Sequence, residues 1–385
     1  MRAIPCSFPA DTMRVEYAPD GALRYLRSDA NEHEEYSYSR PFILELELTR
    51  RCNLQCVHCY ADAKDCRFDD ELKHDEITRV LDQAVDVGIP EISLTGGEVL
   101  LHRNFFDVID ESLSRQRNVR FVTNATMLDH DCLIELCKRP IKLITVSLDA
   151  ISSEIHDKIR GPDSHAQTMR NVYSLFEAGF RVSIITAFSK MNIKEFDPLL
   201  HFCMQHQLDW QVQIVSAKGR CNKDITLSPK EYYELGEKVA QAYTSEIPIN
   251  LIPMDDMATF SRFFPLSSLS GTWQGMCTGG LLNIFIRANG DVTPCSALAF
   301  PECVVGNVRR DSLLDICKEQ RCRRNLEWLS TESRTGTCAS CQFLRKCRGG
   351  CPEILLSMCA KRTENQYCYH RIEESDILNK VFDHA

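Results

Sequence analysis

The sequence predicts an α/β fold: a partial (β/α)6 barrel of parallel strands, followed by a small, irregular, cysteine-rich domain. Three observations carry this. Between residues 42 and 216, segments of strand length alternate with segments of helical periodicity. Most of the strand segments are continuous apolar runs, as in a parallel sheet covered by helices. Cysteine, 20 of 385 residues, is concentrated in one early loop and in a second group from Cys277 to Cys368.

Residues 1–40 are polar, and Ala18-Pro19-Asp20-Gly21 is the turn signal of a hairpin. The first barrel strand, 42–49, alternates apolar and polar residues and runs into Cys52-Asn53-Leu54-Gln55-Cys56-Val57-His58-Cys59. A helix over 72–87 follows from Leu72, Ile77, Val80, Leu81, Ala84 and Val85, and Gly88 closes it. Strand 91–95 leads into Gly96-Gly97-Glu98. The alternation then continues through helix 104–115, strand 119–123, helix 129–138, strand 141–148, helix 165–178, strand 181–188, helix 195–206 and strand 210–216. Six such units fall short of the eight in a closed barrel, so the barrel stays partly open. A helix over 228–245 precedes an irregular bridge broken by Pro and Gly, and from Cys277 onward secondary structure is sparse. The chain therefore divides into an N-terminal extension (1–40), the barrel (41–225), a bridging region (226–276) and the cysteine-rich domain (277–385).

Sites in parallel α/β folds form at the C-terminal ends of strands. The Cys loop, Gly96-Gly97-Glu98, Thr123-Asn124, Ser147-Leu148-Asp149 and Ala217-Lys218-Gly219-Arg220 all fall at such ends, converging on one rim. Net charge is −9 at pI about 5.7, which argues against a nucleic acid or anionic membrane held by bulk charge. No stretch approaches the ~20 apolar residues of a membrane span, and the N-terminus lacks the apolar core of a signal peptide. The expected compartment is the cytoplasm, where clustered cysteines ligate metal in preference to forming disulfides.

Cys52, Cys56 and Cys59 can hold one soft metal centre. A closed zinc site or four-iron cluster takes four ligands, so three thiols leave one metal position open. Cys52-x3-Cys56-x2-Cys59 after a first strand, with Gly96-Gly97-Glu98 after the second, resembles the radical S-adenosylmethionine (SAM) enzymes. The resemblance implies a [4Fe-4S] cluster on these three thiolates, with the fourth iron chelating the methionine moiety of SAM. It places Gly96, Gly97 and Glu98 at the cofactor, the glycines leaving room for the methionine amine. It also sets Thr123, Asn124, Ser147, Asp149 and Arg160 where the family contacts the ribose or carboxylate. Two departures are visible: His58 replaces a frequent aromatic and is expected to stack beside the cofactor, with ligation the alternative, and Glu98 is followed by Val99 instead of Pro.

Seven later thiols form one ordered pattern: Cys277, then Gly290-x4-Cys295, then Cys338-x2-Cys341-x5-Cys347-x3-Cys351, then Cys368. This resembles the SPASM extension of radical SAM enzymes that modify peptides and proteins, where it binds two auxiliary clusters. Carried over, Cys338, Cys341, Cys347 and Cys368 hold the distal cluster and Cys277, Cys295 and Cys351 the proximal one. Some members complete the proximal cluster with a further Cys where this chain has Gly271, so the fourth ligand is either Cys303 or nothing, leaving an open iron. A zinc knuckle over 338–351 would leave Cys277, Cys295 and Cys368 unexplained.

The resemblance implies a radical SAM oxidoreductase acting on a ribosomally made peptide or protein substrate, forming a thioether or other side-chain crosslink. It also implies a low-potential electron donor such as a flavodoxin or ferredoxin. The alternatives are a sulfatase-maturing, formylglycine-forming enzyme; a tetrapyrrole or other cofactor-biosynthesis enzyme; and a non-catalytic iron-sulfur or zinc scaffold. The last needs neither Gly96-Gly97-Glu98 nor the repeated strand-helix units. No general base is assigned.

Overall fold

The computed structural model describes residues 41–66, 68–245, 247–254, 256–263, 277, 279–331 and 334–382, with three short strands ahead of them. Those three, β1 (Met13–Tyr17), β2 (Leu23–Arg27) and β3 (Tyr36–Ser37), form an antiparallel sheet. The Pro19-Asp20-Gly21 turn expected between β1 and β2 lies outside the described residues, as does Gly271.

The main sheet begins with β4 (Ile43–Glu47), followed by α1 (His74–Val87), β5 (Glu91–Thr95), α2 (Phe105–Ser114), β6 (Asn118–Thr123), α3 (His130–Cys137) and β7 (Leu143–Ser147). Two helices, α4 (Ser153–Arg160) and α5 (Ser164–Glu177), lead to β8 (Val182–Phe188), α6 (Phe196–His206), β9 (Asp209–Ile214), α7 (Pro229–Thr244) and β10 (Leu251–Pro253). Local chemistry sets these limits. The Glu76 carboxylate accepts the Lys73 N–H at the start of α1 (2.8 Å), and Gly88, at φ 84°, ends the helix on the Ala84 and Val85 carbonyls. Asp129 caps α3 through the Cys132 N–H, and Ser228 with Glu231 caps α7 ahead of Pro229.

Every neighbouring pair from β10 through β4 is parallel, in the order β10-β9-β8-β7-β6-β5-β4. This is the parallel α/β architecture that the sequence predicts. The sheet is longer than six strands, however. β10 adds one edge strand within the region read as an irregular bridge; it is three residues long, and its Pro253 sits at an edge, where a missing N–H is tolerated. On the other side of β4 lies β11 (Asn283–Ile286), also parallel, and then β12 (Asp291–Thr293) and β13 (Gly306–Asn307) in antiparallel pairing. The cysteine-rich segment thus begins as part of the barrel sheet. It continues through α8 (Leu313–Lys318), α9 (Arg321–Thr331), α10 (Gly336–Ala339), α11 (Leu344–Cys347), α12 (Pro352–Ser357) and α13 (Tyr369–Phe382), more helix than the sequence predicts.

The strands are two-faced, which corrects the reading of continuous apolar runs. Leu44, Leu46, Ile92, Leu94, Phe121, Val146 and Trp210 are buried in one core beneath the helices. Many of the residues between them are polar, Glu45 and Glu47 on β4, Ser93 on β5, Thr145 on β7, Ser183 on β8, Gln211 and Gln213 on β9, with Val122 on β6 and Ile185 on β8 apolar. This inner face lines the barrel, and its hydroxyls pair across strands, Thr145 Oγ1 lying 2.8 Å from Ser183 Oγ.

The C-terminal segment also grips the barrel helices on both flanks. Arg309 Nε donates to Glu76 Oε1 on α1 (2.7 Å), and the Leu313 N–H to Gln83 Oε1 (2.6 Å). On the far flank the Tyr369 hydroxyl donates to the Tyr232 carbonyl on α7 (2.6 Å) and the Tyr367 hydroxyl to the Leu227 carbonyl (3.0 Å). Removing the segment would bare the edge of β4 and uncover Tyr232, and an exposed strand edge is an aggregation template. A chain ending at residue 263 is therefore expected to lose most of its soluble yield and its cooperative thermal transition; recovery of a soluble, cooperatively melting fragment would contradict this.

Candidate active site

The loop after β4 carries Cys52 and Cys56, both buried, and Cys59, half-buried. It has little regular structure and is closed by a bridge at its base, where the Cys52 N–H donates to the Lys64 carbonyl (3.0 Å). Backbone N–H groups are aimed at two sulfurs: Leu54 N to Cys52 Sγ and Ala63 N to Cys59 Sγ, each 3.4 Å. Burial pushes the Cys52 thiol up to about 12 and raises Cys56 as well, so both stay protonated until a cation displaces the proton. Three thiols on one loop, with amide donors directed at their sulfurs, make a donor set that fits an iron-sulfur cluster.

The loop is held from outside. Gly97 N–H donates to the Thr49 carbonyl (2.7 Å) and Glu98 N–H to the Arg51 carbonyl (2.8 Å). A Cβ on Gly96 or Gly97 would overlap the Thr49–Arg51 backbone. The close approach that demands glycine here is thus made by the chain itself. Gly219, at φ 60°, plays the same part on the opposite side, where a Cβ would overlap the Cys59 and Tyr60 carbonyls. Next to it Arg220 fastens the loop: its N–H donates to the Cys59 carbonyl (2.9 Å), Nε to Cys56 O (3.0 Å) and Nη2 to Ala63 O (2.9 Å), while Nη1 pairs with Asp62 (3.2 Å). The sequence marks 217–220 as a polar strand end without assigning Arg220 a task.

Glu98 is 1% exposed. Its carboxylate accepts from Thr123 Oγ1 (2.6 Å), the Asn124 N–H (2.8 Å) and the Leu100 N–H (3.2 Å), tying the end of β5 to that of β6. Burial raises its pKa, partly offset by these donors. Asn124 donates through Nδ2 to Asn53 Oδ1 (3.1 Å) and accepts from the Thr126 N–H and hydroxyl, fixing the Cys loop to β6. Ser147 pairs with Ile185 in the β7–β8 ladder and lies on the inner face of β7.

Asp149 is fully buried and takes three donors: His58 Nε2 (2.8 Å) and Arg160 Nε (2.6 Å) on one oxygen, the Ala187 N–H (3.1 Å) on the other. Burial alone would raise its pKa; the Arg160 guanidinium and then His58 outweigh that and hold it well below the usual carboxylate range. His58 is therefore anchored by a hydrogen bond beside the third thiol. Arg160 ends α4, an eight-residue helix that the sequence reading omits because Ser-Glu-Ile-His-Asp-Lys-Ile-Arg contains only two apolar residues. The Val57 N–H reaches the Ile159 carbonyl (2.9 Å), so α4 also braces the Cys loop.

The later thiols form two groups. Cys347 lies within electrostatic reach of Cys341 and Cys338, and Cys368 of Cys347 and Cys338. Cys277 and Cys295 are neighbours in the same sense. Cys351 heads α12, its N–H donating to Asp256 Oδ2 (3.2 Å). Cys303 packs against Leu298, with Cys295 against the same small cluster, and Lys218 lies within electrostatic reach of both thiols. Among the described residues no three His, Cys, Asp or Glu side chains close on a single ion-sized point.

Lys218 connects the two regions. Its Nζ donates to the Ala297 carbonyl (3.2 Å) and lies 5.2 Å from the Tyr60 ring centroid and 4.5 Å from that of Phe300. Glu353, two residues beyond Cys351, reaches Ser216 at the end of β9. Lys218 and Glu353 therefore join the strand ends that hold the three-thiol loop to the Cys295–Cys351 region.

A family model described as the radical SAM superfamily matches residues 46–203, and one described as the SPASM iron-sulfur cluster-binding domain matches residues 277–342. The chain is 26% identical over 344 residues to an AdoMet-dependent heme synthase of Methanosarcina barkeri, covering 86% of this chain and 97% of that protein. It is 25% identical over 330 residues to mycofactocin maturase MftC of Mycolicibacterium smegmatis, covering 83% and 80%. In three dimensions it matches Streptococcus suis SuiB bound to S-adenosylmethionine with a TM-score of 0.67 at 19% identity, over 85% of this chain and 76% of that one. SuiB bound to its precursor peptide SuiA matches with a TM-score of 0.66 at 20% identity, over 85% and 75%. No helix among the described residues is long and apolar enough to cross a membrane.

Two substitutions test this geometry. Arg160→Met leaves the buried Asp149 charge with His58 and one N–H, and is expected to cost about 3–5 kcal/mol in urea unfolding of the metal-free chain. Arg220→Ala removes three donors from the Cys loop while leaving every thiol in place. Its expected signature is faster loss of iron to a chelator, with a global stability change of about 1–3 kcal/mol.

Proposed function

The chain is a radical SAM enzyme with a SPASM domain, and from that premise we propose that it modifies a ribosomally made peptide by hydrogen abstraction, forming a thioether or other side-chain crosslink. In this reading Cys52, Cys56 and Cys59 hold the SAM-binding [4Fe-4S] cluster. Cys338, Cys341, Cys347 and Cys368 hold the distal auxiliary cluster, and Cys277, Cys295 and Cys351 belong to the proximal one. The bound cluster and SAM supply a 5′-deoxyadenosyl radical once a low-potential flavodoxin or ferredoxin delivers an electron.

The chain's own residues do the positioning. Gly96, Gly97 and Glu98 keep the Cys loop against the strand ends, Asn124 and Arg220 fix its two sides, and Asp149 with Arg160 anchors His58. Gly96, Thr123 and Ser147 border the space where SAM lies.

What supports the peptide reading is the polar inner face of the sheet between the two thiol regions. It offers amide and hydroxyl partners, Ser93, Thr145, Gln211 and Gln213, with carboxylates at Glu45 and Glu47. An extended peptide satisfies such a wall with its own amides, whereas acidic groups repel a substrate carrying several carboxylates. The tetrapyrrole reading rests on the M. barkeri heme synthase, whose length this chain matches almost throughout; it would assign Lys218 and Arg287 to propionates.

One experiment separates these. Anaerobically prepared protein should carry about 12 Fe per chain, and a Cys52→Ala, Cys56→Ala, Cys59→Ala variant about eight while making no 5′-deoxyadenosine. Reduced enzyme with SAM should remove two hydrogens from a short peptide encoded beside it, read by mass, and leave an iron-coproporphyrin unchanged. Decarboxylation of the porphyrin with untouched peptides would overturn the peptide reading.

A further inference from the structure

One buried cation reaches from the support of the three-thiol loop to the thiols of the cysteine-rich segment. The backbone of Lys218 belongs to the clamp on that loop. Beside it Gly219, at φ 60°, lies against the Cys59 and Tyr60 carbonyls, and the Arg220 N–H donates to the Cys59 carbonyl (2.9 Å). The Lys218 side chain ends among residues of the other region, next to Cys295 and Cys303. We propose that the Lys218 ammonium raises the reduction potential of the proximal auxiliary cluster, an inference that rests on the assignment of Cys277, Cys295 and Cys351 to that cluster.

The ammonium is held in place. Nζ donates to the Ala297 carbonyl (3.2 Å), and it lies 4.5 Å from the Phe300 ring centroid and 5.2 Å from that of Tyr60. Two aromatic rings favour a cation at that point. Cys295 and Cys303 both bear on Lys218, and Lys218 bears on Cys303 in turn. Its charge therefore acts on the proximal side whether the fourth ligand is Cys303 or absent. Leu298 and Cys303 are buried together, with Cys295 and Phe300 packed against them, and charges interact more strongly in such apolar surroundings than in water. Burial lowers the Lys218 pKa, and the Glu353 carboxylate opposes that shift. Glu45 and Glu353 also bear on Cys295, with the sign opposite to that of Lys218. Arg287, the other cation in reach of Lys218, bears on Glu47 as well. An added electron makes an iron-sulfur cluster more negative, so a fixed cation beside its thiolates stabilises the reduced form.

The test is a redox titration of the whole, anaerobically prepared chain, followed by EPR. The reduction step missing from the Cys52→Ala, Cys56→Ala, Cys59→Ala variant belongs to the SAM-binding cluster, and the step missing from Cys277→Ala to the proximal one. Lys218→Met keeps a long, unbranched side chain and removes its charge. It is expected to make proximal reduction about tenfold less favourable, about 59 mV for one electron, and to leave the distal step where it was. Lys218→Arg restores a cation and is expected to return most of that shift. Arg287→Met, which removes the neighbouring cation, is expected to move the proximal step less.

An unmoved proximal step in Lys218→Met would overturn the proposal. So would an equal shift of the distal step, or an equal effect of Arg287→Met, since either would make the charge a general one. Loss of proximal iron from Lys218→Met and Lys218→Arg alike would assign Lys218 a purely structural role. If the unaltered protein holds only about four Fe, the cluster assignment fails together with this inference. That result is distinct from about 12 Fe whose potentials ignore Lys218.

Discussion

The three-thiol loop cannot hold its own shape, and much of the barrel rim is arranged to hold it. Between Thr49 and Lys64 the backbone makes few hydrogen bonds within the loop, so its N–H and C=O groups must be satisfied by neighbours. Those neighbours come from four strand ends. Gly97 and Glu98 donate to the Thr49 and Arg51 carbonyls after β5, Asn124 holds Asn53 after β6, Ile159 accepts from Val57 beyond β7, and Arg220 takes the Cys56 and Cys59 carbonyls after β9. Each bond contributes about 1 kcal/mol at most, but together they fix three sulfurs relative to one another before any iron arrives. The glycines at 96, 97 and 219 follow from the same constraint, because a Cβ at any of them would push the loop off the rim.

Holding a loop this way places charge where water is scarce. Glu98 and Asp149 are both essentially fully buried, and burying a carboxylate costs several kcal/mol unless donors surround it. Glu98 solves this with neutral donors from three residues, Asp149 with Arg160 and His58. The two solutions are not equivalent electrically. The Glu98 carboxyl works against a thiolate at Cys52, whereas the Arg160 guanidinium favours one at Cys56. Arg160 is thus the buried cation that opposes negative charge on these sulfurs.

Much of this was legible from residue patterns. The six strands β4–β9 and their main helices stand out because each has a buried face of the right period, and the strand-end rule brings the Cys loop, Gly96-Gly97-Glu98, Asn124 and Asp149 to one rim. What escaped has particular causes. Helix α4 carries almost no apolar signal, since its buried residues include His156 and Arg160. β10 is too short to register. β11 and β12 do carry a hairpin signal, Asn289-Gly290 between apolar residues, but Gly290 was read only as spacing for Cys295. The backbone of Thr49, Arg50 and Arg51 that crowds Gly96 and Gly97 is a second reason for glycine there, one that sequence spacing does not show. Arg220 and Asp256 left no trace because their partners are backbone groups roughly 160 and 95 residues away in sequence, and one-dimensional patterns do not encode such contacts.

The placement of β11 changes how the two halves of the chain relate. Had the cysteine-rich segment been a separate lobe on a linker, its thiols would sit at a variable distance from the three-thiol loop. Instead its first strand pairs with β4, the strand that launches that loop, and its later helices grip α1 on one flank and α7 on the other. Asn283 on β11 donates to Glu45 on β4, and Ala288 to Glu47, so the inner wall is built jointly. Lys218 then spans from Tyr60, next to Cys59, to Ala297, near Cys295. One continuous sheet therefore ties the strand that launches the three-thiol loop to the strand that opens the cysteine-rich segment.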